Sequence, residues 1–229
     1  MTSVTPGMRI VIAGAHGQIA RIAARLLVAD GNDVAGLIRN PDHIPDLEQD
    51  GVAPVVIDLE NSTTEDVVQV LTGADVAVFA AGAGPGSGIE RKDSVDRGAA
   101  VLLAAAAEEA GVPRLVQISS SGVESVRDGA RPEGLEEVMH AYLTAKLAAE
   151  EDLRARQALD WTILRPGRLT DEPAGGLVEL SPGAESGEIP RADVAAVLAE
   201  LVRTGNGARQ VLGLISGSTP ITEAVAGLG

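Results

Sequence analysis

The feature that most constrains this chain is an apolar run that ends in glycines and passes directly into a helical pattern. Residues 9–20 read RIVIAGAHGQIA, so Gly14 and Gly17 lie between a buried-strand pattern and a helix. Glycine permits a tight turn and a close backbone approach, and the free N–H groups at the start of a helix attract anions. The segment is therefore typical of a phosphate-binding turn. Ala20 stands where the dinucleotide-binding fingerprint commonly has a third glycine, a position that tolerates alanine.

Apolar runs alternate with amphipathic segments along the rest of the chain. Strands are predicted at 11–13, 34–38, 55–57, 76–80, 115–119, 161–164 and 211–215. Helices are predicted at 18–29, 43–50, 62–71, 94–110, 133–158 and 192–202, with a short terminal helix. The alternation predicts an α/β fold, a doubly wound Rossmann fold whose mostly parallel sheet is covered on both faces.

The connections between these elements complete the predicted architecture. Ser62 and Glu65 have the spacing of a capping box and predict the start of the third helix. Residues 122–134 and 169–190 are predicted as loops. Residues 1–229 would form a single domain with a small C-terminal substrate lobe, mainly from 167–190 and 216–229.

Composition limits the kinds of partner. A formal net charge of −15 argues against nucleic-acid binding, and the absence of cysteine excludes disulfides, thiolate metal sites and a cysteine nucleophile. His16, His43 and His140 have no metal-ligand spacing, so no metal is expected. No secretory leader or membrane-spanning run is evident, so we expect a cytoplasmic protein with a small-molecule partner and no membrane partner. Monomer and homodimer both remain open.

Three residues are candidates for contacts to a dinucleotide beyond the glycine turn. Arg39 follows the second strand, where arginine favours the 2′-phosphate of NADP; a surface arginine is the alternative, and NAD remains the second cofactor candidate. Asp58 ends the third strand and would accept a hydrogen bond from the adenine amino group, unless it only caps a turn. His16 lies inside the glycine turn, where we expect it to contact phosphate or ribose.

The single tyrosine marks the candidate catalytic site. Tyr142 and Lys146 are four residues apart and share one face of a predicted helix. A lysine ammonium stabilises a nearby phenolate, which allows the tyrosine to act as an acid or base toward a carbonyl or alcohol. The same spacing is common in structural helices, so this pair alone decides nothing. Residues 119–121 are serines at the end of the fifth strand, where a hydroxyl would hold a substrate oxygen.

Taken together, these segments resemble an atypical short-chain dehydrogenase/reductase of the NAD(P)H-binding family, with an NmrA-like or biliverdin-reductase-B-like arrangement. The resemblance spans nearly the whole chain. It rests on GAHGQIA (14–20), Arg39, YLTAK (142–146), RLVQISSSG (114–122), LDWTILRPGRLTDEP (159–173) and IPRADVAAVLAELV (189–202). The most specific segment is 159–173, because its apolar strand ends in Arg165-Pro166-Gly167 and resembles the family's loop that packs near the nicotinamide. Proline fixes the backbone there, and glycine permits close ligand approach.

The resemblance implies roles for individual residues. Tyr142 would be the general acid or base, Lys146 its activator and a ribose ligand, and Ser120 the donor to the substrate oxygen, with Ser121 as the alternative. The implied cofactor-binding set is Gly14, His16, Gly17, Gln18, Ile19, Arg39, Asp58, Leu59, Ala81, Gly82, Lys146, Pro166, Gly167 and Leu169. The chain departs from the family in having no obvious asparagine for a proton relay.

The expected function is NADPH-dependent reduction of a small carbonyl or related electrophile. A redox-sensing regulator that binds NADP(H) without turnover is one alternative, and a flavin or tetrapyrrole reductase is another. A nucleotide-sugar epimerase is a third alternative, which the length of 229 residues disfavours.

Overall fold

The computed structural model describes residues 7–84, 86–183 and 186–229. The strands are β1 (Arg9–Ala13), β2 (Asp33–Ile38), β3 (Ala53–Val56), β4 (Val76–Phe79), β5 (Arg114–Ile118), β6 (Asp160–Pro166), β7 (Arg168–Thr170), β8 (Leu177–Ser181), β9 (Glu188–Pro190), β10 (Gln210–Ser216) and β11 (Thr219–Pro220). The α-helices are α1 (Gln18–Ala29), α2 (Ile44–Gln49), α3 (Thr64–Leu71), α4 (Ile89–Arg91), α5 (Ala100–Glu109), α6 (Glu137–Ala155), α7 (Arg191–Thr204) and α8 (Ile221–Ala226). A π-helical segment spans Lys92–Ala99, and 3-10 segments span Pro41–His43 and Val123–Gly129.

The central sheet has the strand order β11-β8-β10-β6-β5-β4-β1-β2-β3. Neighbouring strands from β3 to β10 are parallel, whereas β8 pairs antiparallel with both β10 and β11. Strand β1 lies between β2 and β4, so the chain order reverses there and leaves a crevice at the carboxyl ends of the strands. The predicted doubly wound, mostly parallel fold is confirmed.

Alternate residues of β1 contribute to two hydrophobic clusters on opposite faces of the sheet. Ile10 and Ile12 pack in one cluster together with buried residues of α1 and α7. Val11 and Ala13 pack in the other, with buried residues of α3, α5 and α6. Burial on both faces explains why the strand reads as a continuous apolar run. Within the described ranges, no helix is long and apolar enough to cross a bilayer.

The predicted capping residue of α3, Ser62, was wrong by one position. Thr63 is the N-cap: its hydroxyl accepts from the Asp66 N–H, and the Asp66 carboxylate accepts from the Thr63 N–H. Ser62 instead donates to the Asp58 carbonyl at 2.8 Å. An N-cap needs an extended backbone, which Thr63 has, and aspartate is long enough to close the box in place of Glu65.

The predicted helix over 94–110 begins earlier and is not regular. It consists of α4, the π-helical segment and α5, because the backbone widens to an i→i+5 pattern in its first part. The predicted helix over 133–158 is shorter at both ends and corresponds to α6. The predicted loops over 122–134 and 169–190 contain the second 3-10 segment and the strands β7, β8 and β9. These strands are too short to give a strong apolar pattern, although Val178 and Leu180 of β8 are buried.

Candidate functional site

The glycine turn brings the end of β1 against the segment that follows β4. Gly14 has φ +78°, and a Cβ added there would lie 2.5 Å from the Cα of Ala81. The Gly17 N–H donates to the Gly14 carbonyl at 3.0 Å, which closes the turn before α1 begins. The backbone of this turn therefore requires Gly14, whose φ is left-handed, whereas Gly17 has an ordinary φ of −64° and an added Cβ there would lie 3.2 Å from the Gly14 carbonyl oxygen.

The start of α1 suits an anionic group. No side chain caps the helix at Gly17, and its first turn contains no acidic residue. The first N–H groups of a helix lack intrahelical partners and carry the positive end of its dipole. A dinucleotide diphosphate therefore fits this turn, which has room for it and donors to meet it.

Two cavities meet at the glycine turn. The adenosine-side cavity, of about 330 Å³, follows the carboxyl ends of β2 and β3. The larger cavity, of about 1180 Å³, lies beyond the ends of β4, β5 and β6. Both are lined by Gly17, Ala80, Ala81 and Gly82, so they form one continuous depression across the sheet edge.

The predicted site residues fall along this depression. The adenosine-side cavity is lined by Gly14, His16, Gly17, Arg39, Asp58, Leu59, Ala81 and Gly82. The larger cavity is lined by Gly17, Gln18, Ile19, Ala81, Gly82, Ser120, Tyr142, Lys146, Pro166, Gly167 and Leu169. Only the alternative serine, Ser121, is not among the lining residues.

Tyr142 and Lys146 face the larger cavity together. Lys146 is buried, and its Nζ lies 5.9 Å from the centroid of the Tyr142 ring. The same Nζ lies 3.2 Å from Oδ1 of Asp96 and donates to the Ile118 carbonyl at 3.2 Å. Among the described residues, the Tyr142 hydroxyl has no hydrogen-bond partner. The tyrosine hydroxyl is thus available to a ligand, while the lysine is held by the fold.

Comparison with known proteins identifies the family to which this chain belongs. A family model described as NAD(P)H-binding matches residues 14–204, from the glycine turn to the end of α7. The chain belongs to the NAD(P)H-binding family. Over 219 residues it is 30% identical to the uncharacterized sugar epimerase YhfK of Bacillus subtilis, covering 95% of this chain and 99% of YhfK.

Two solved structures are also similar to this chain over most of its length. A Bacillus halodurans protein that carries the name of an NAD-dependent epimerase/dehydratase is 33% identical, with a TM-score of 0.85 over 96% of this chain and all of that chain (100%). ChuY, an anaerobilin reductase from Escherichia coli O157:H7, is 28% identical, with a TM-score of 0.73 over 91% of this chain and 97% of that one. The chain is therefore similar to oxidoreductase-like members of the NAD(P)H-binding family.

Arg39 is not an isolated surface arginine in this family member. Its Nη1 donates to Glu60 Oε2 at 2.8 Å, and Arg91 Nη2 donates to the same oxygen at 3.2 Å. Ser94 Oγ donates to Glu60 Oε1 at 2.6 Å. Glu60 therefore holds two guanidinium groups at the wall of the adenosine-side cavity. No local pattern in the sequence marks Glu60 or Arg91, because this cluster joins segments that are far apart in the chain.

His16 and Asp58 line the same cavity but have protein partners. The His16 Nε2 lies 2.8 Å from Asp46, and its ring stacks on His43 with centroids 3.5 Å apart. Hydrogen bonding to His16 is the main cause that lowers the pKa of Asp46. The Asp58 carboxylate accepts from the Glu60 N–H and the Asn61 side chain, so it caps a turn. No cluster of metal-ligating side chains occurs among the described residues.

The three serines after β5 have different partners. Ser119 donates to the buried Glu150, whereas Ser120 Oγ donates only to the Ser121 carbonyl at 3.1 Å and lines the larger cavity. The Ser121 N–H donates to the Pro166 carbonyl at 2.9 Å. Ser120 is therefore the serine whose hydroxyl is best placed for a ligand.

A buried ion pair supports the end of β6. Arg165 Nη2 donates to Glu150 Oε2 and to Glu124 Oε1, each at 2.6 Å. Hydrogen bonding to Arg127, together with Arg165, lowers the pKa of Glu124 to about 2. This network ties α6 and the Val123–Gly129 segment to the strand that carries Pro166. Sequence reasoning did not identify Glu150, because nothing local marks a helical glutamate as buried.

Gly167 is explained by packing as well as by its place in the cavity. A Cβ added to Gly167 would lie 2.5 Å from the Gly187 carbonyl oxygen and 2.9 Å from Ile215. The sequence interpretation assigned this glycine to close ligand approach. The approach that the structure shows is between two backbone segments, so any substitution here would first move the β9 side of the site.

Proposed function

We propose that this protein is an NADP(H)-dependent reductase that converts a small carbonyl, or a related electrophile, to the corresponding alcohol. The observation that carries the proposal is that Tyr142, Lys146 and Ser120 lie on the wall of the larger cavity, which is also lined by Gly17 of the glycine turn. A dinucleotide that lies along this depression would present its nicotinamide to that wall. The substrate would enter from the side of the proposed substrate lobe, whose described residues are mainly 167–183, 186–190 and 216–229.

Each residue of the wall has a distinct role in the proposed reaction. NADPH supplies the hydride when it is bound. The Tyr142 hydroxyl donates a proton to the substrate oxygen as negative charge develops there, and Ser120 holds that oxygen by a second hydrogen bond. Lys146 stabilises the phenolate that remains and donates to the cofactor ribose. Asp96 is a positioning residue, because its buried carboxylate fixes the lysine ammonium.

The remaining predicted residues would hold the cofactor along the depression. Backbone N–H groups at Gly17, Gln18 and Ile19 would bind the diphosphate. The other assignments are Gly14 and His16 beside the phosphates and ribose, Ala81 and Gly82 beneath the adenosine ribose, Asp58 and Leu59 beside the adenine, and Pro166, Gly167 and Leu169 beside the nicotinamide.

NADP is proposed over NAD because Arg39 and Arg91 lie together on the wall of the adenosine-side cavity, where both pair with Glu60. A 2′-phosphate beside them would gain charge-assisted hydrogen bonds from the guanidinium N–H groups that Glu60 does not use. Removal of such a bond costs about 1.5–3 kcal/mol, which corresponds to a loss of affinity of roughly 10- to 150-fold. We expect Arg39→Ala to weaken NADPH binding by this factor and to leave NADH binding unchanged, measured by fluorescence titration.

Arg97→Ala is the matched control for this titration. It removes an equal charge from an exposed pair with Asp93, outside the two cavities. Equal affinity of the wild-type protein for NADPH and NADH, unchanged by Arg39→Ala, would contradict the NADP assignment.

The reductase proposal itself is tested by NADPH oxidation at 340 nm across small aldehydes and ketones, FMN and biliverdin. The tetrapyrrole is included because ChuY is named an anaerobilin reductase, and the flavin because the sequence leaves a flavin reductase open as an alternative. We expect NADPH-dependent reduction of at least one of these compounds. Stoichiometric NADPH binding without NADPH oxidation in the presence of any of these compounds would favour a redox-sensing regulator instead.

An epimerase is the second candidate, and the names of two relatives favour it. YhfK matches this chain over 99% of its own length, so a short chain does not argue against the name. An epimerase would interconvert nucleotide sugars with no net consumption of the dinucleotide. Sugar epimerisation in the absence of NADPH oxidation would therefore favour this candidate over the reductase.

A further inference from the structure

The two lysines of the chain both lie beside its single tyrosine. Lys92 and Lys146 are the only lysines in the sequence, against sixteen arginines. Lys92 Nζ lies 5.2 Å from the centroid of the Tyr142 ring, closer than the 5.9 Å of Lys146 Nζ. Both side chains line the larger cavity. The proposed reaction uses Lys146 and leaves Lys92 without a role.

The two ammonium groups differ in their partners. Lys146 is neutralised by Asp96, at 3.2 Å. Lys92 is also largely inaccessible, with 9% of the residue exposed against 4% for Lys146, yet its Nζ donates to the Gly84 carbonyl at 3.0 Å and has no carboxylate within 4.0 Å among the described residues. An ammonium has three N–H donors, and a buried charge without a counter-ion is costly. Within the described part of the chain, Lys92 thus has N–H donors without a partner, and its charge faces the Tyr142 ring with no carboxylate beside it.

A shortage of acidic side chains does not explain this lack of a counter-ion. The chain has 33 acidic residues against 18 basic ones. Other cations near the site have carboxylate partners, including Arg191, which lines the same cavity and pairs with Asp171 at 2.6 Å. Lys92 also begins the π-helical segment, a deviation from regular helix that is frequent at functional sites.

We propose that Lys92 binds an acidic group of the substrate, a carboxylate or a phosphate, while the reducible group of the substrate faces Tyr142. The proposal rests on the proposed function, since it places the substrate in the larger cavity. The substrate class is then an anionic electrophile. The acid group of the substrate neutralises the Lys92 ammonium. It also fixes the distance between Lys92 and the reacting atom of the substrate.

The experiment uses the full chain loaded with NADP⁺ and labelled with ¹³C-lysine. Two εCH₂ resonances are expected from the two lysines and are assigned with Lys92→Arg. The probes are acetate, inorganic phosphate, and two matched pairs, FMN with riboflavin and biliverdin with its dimethyl ester. Within each pair the ring system is constant and only the acid group changes. We expect saturable movement of the Lys92 resonance with the acids and none with the neutral partners.

A second measurement uses the flavin pair. Lys92→Met is expected to weaken FMN binding by about tenfold, the size of one charge-assisted contact, and to leave riboflavin and NADPH binding unchanged. Arg97→Gln, which removes one exposed positive charge nearby, is the control and should change none of the three affinities.

Three results would overturn the proposal. The first is no movement of the Lys92 resonance with any acidic probe, and the second is equal movement with the neutral partners. The third is weaker NADPH binding in Lys92→Met, which would make Lys92 a cofactor ligand. Failure of the reductase proposal is a separate result, because NADPH oxidation can be absent while acids still move the Lys92 resonance.

Discussion

Replacing Gly14 by alanine tests the contact that joins β1 to the wall of the site. The new Cβ would lie 2.5 Å from the Ala81 Cα and 2.7 Å from the Ala81 nitrogen, where ordinary van der Waals contact needs about 3.5 Å. Both neighbouring atoms are backbone, so relief requires the segment at Ala81 to move by about 1 Å. That segment lines both cavities, so the movement would also reach the proposed ribose position.

Two energetic effects add at Gly14. The left-handed backbone, φ +78°, costs a non-glycine residue about 1–2 kcal/mol, and overpacking costs about 1–3 kcal/mol. The expected loss is therefore about 2–5 kcal/mol of unfolding free energy, out of about 5–15 kcal/mol for a typical domain. Urea unfolding measures it as a lower midpoint with an unchanged slope, and NADPH titration should show weaker binding in the variant that remains folded.

Gly73→Ala is the matched control for this prediction. Gly73 also has a left-handed φ, +76°, but an added Cβ there meets nothing within 4 Å. It should therefore lose only the backbone contribution of about 1–2 kcal/mol and bind NADPH as the wild type does. If Gly14→Ala is no more destabilising than Gly73→Ala, the close approach of Ala81 is not a constraint and the reasoning is refuted.

Three further predictions concern the support of the site. Arg165→Met removes the guanidinium from the fully buried Glu150 and should destabilise the fold by about 3–5 kcal/mol in urea unfolding; a loss below about 1 kcal/mol would contradict a buried ion pair. Because the pKa of Glu124 is lowered from 4.5 to about 2, its stabilising contribution is present above pH 4.5 and is lost as the pH falls toward 2. Glu124→Gln should therefore flatten the acid limb of the stability curve, and an unchanged limb would reject this assignment. Thr63→Ala should cost about 1 kcal/mol as the loss of the observed N-cap, whereas no loss would indicate that the cap is not stabilising.

The candidate site residues that the sequence could single out are those whose signal is local. Gly14 and Gly17 lie in one turn, and Tyr142 and Lys146 are one helical turn apart, so spacing alone relates them. The alternation of apolar runs with helices was also enough to predict the doubly wound sheet, because parallel strands that are covered on both faces appear in the sequence as continuous apolar segments. These features place the site at the carboxyl ends of the central strands.

The residues that the sequence did not reveal depend on contacts between distant segments. Asp96 meets Lys146 across fifty positions, and Glu60 meets Arg39 and Arg91 from a separate loop. Lys92 and Asp96 also lie in a π-helical segment, whose wider spacing the regular helical pattern over 94–110 could not represent.

The most direct test of the central claim is the effect of Tyr142→Phe on the panel member that the wild-type protein reduces fastest. The substitution removes only the hydroxyl that donates the proton, and the ring remains beside Lys146. We expect kcat to fall by about 10²- to 10⁴-fold, the usual contribution of a general acid, with NADPH affinity unchanged. A variant that turns over at the wild-type rate would contradict the assignment of Tyr142 as the catalytic acid.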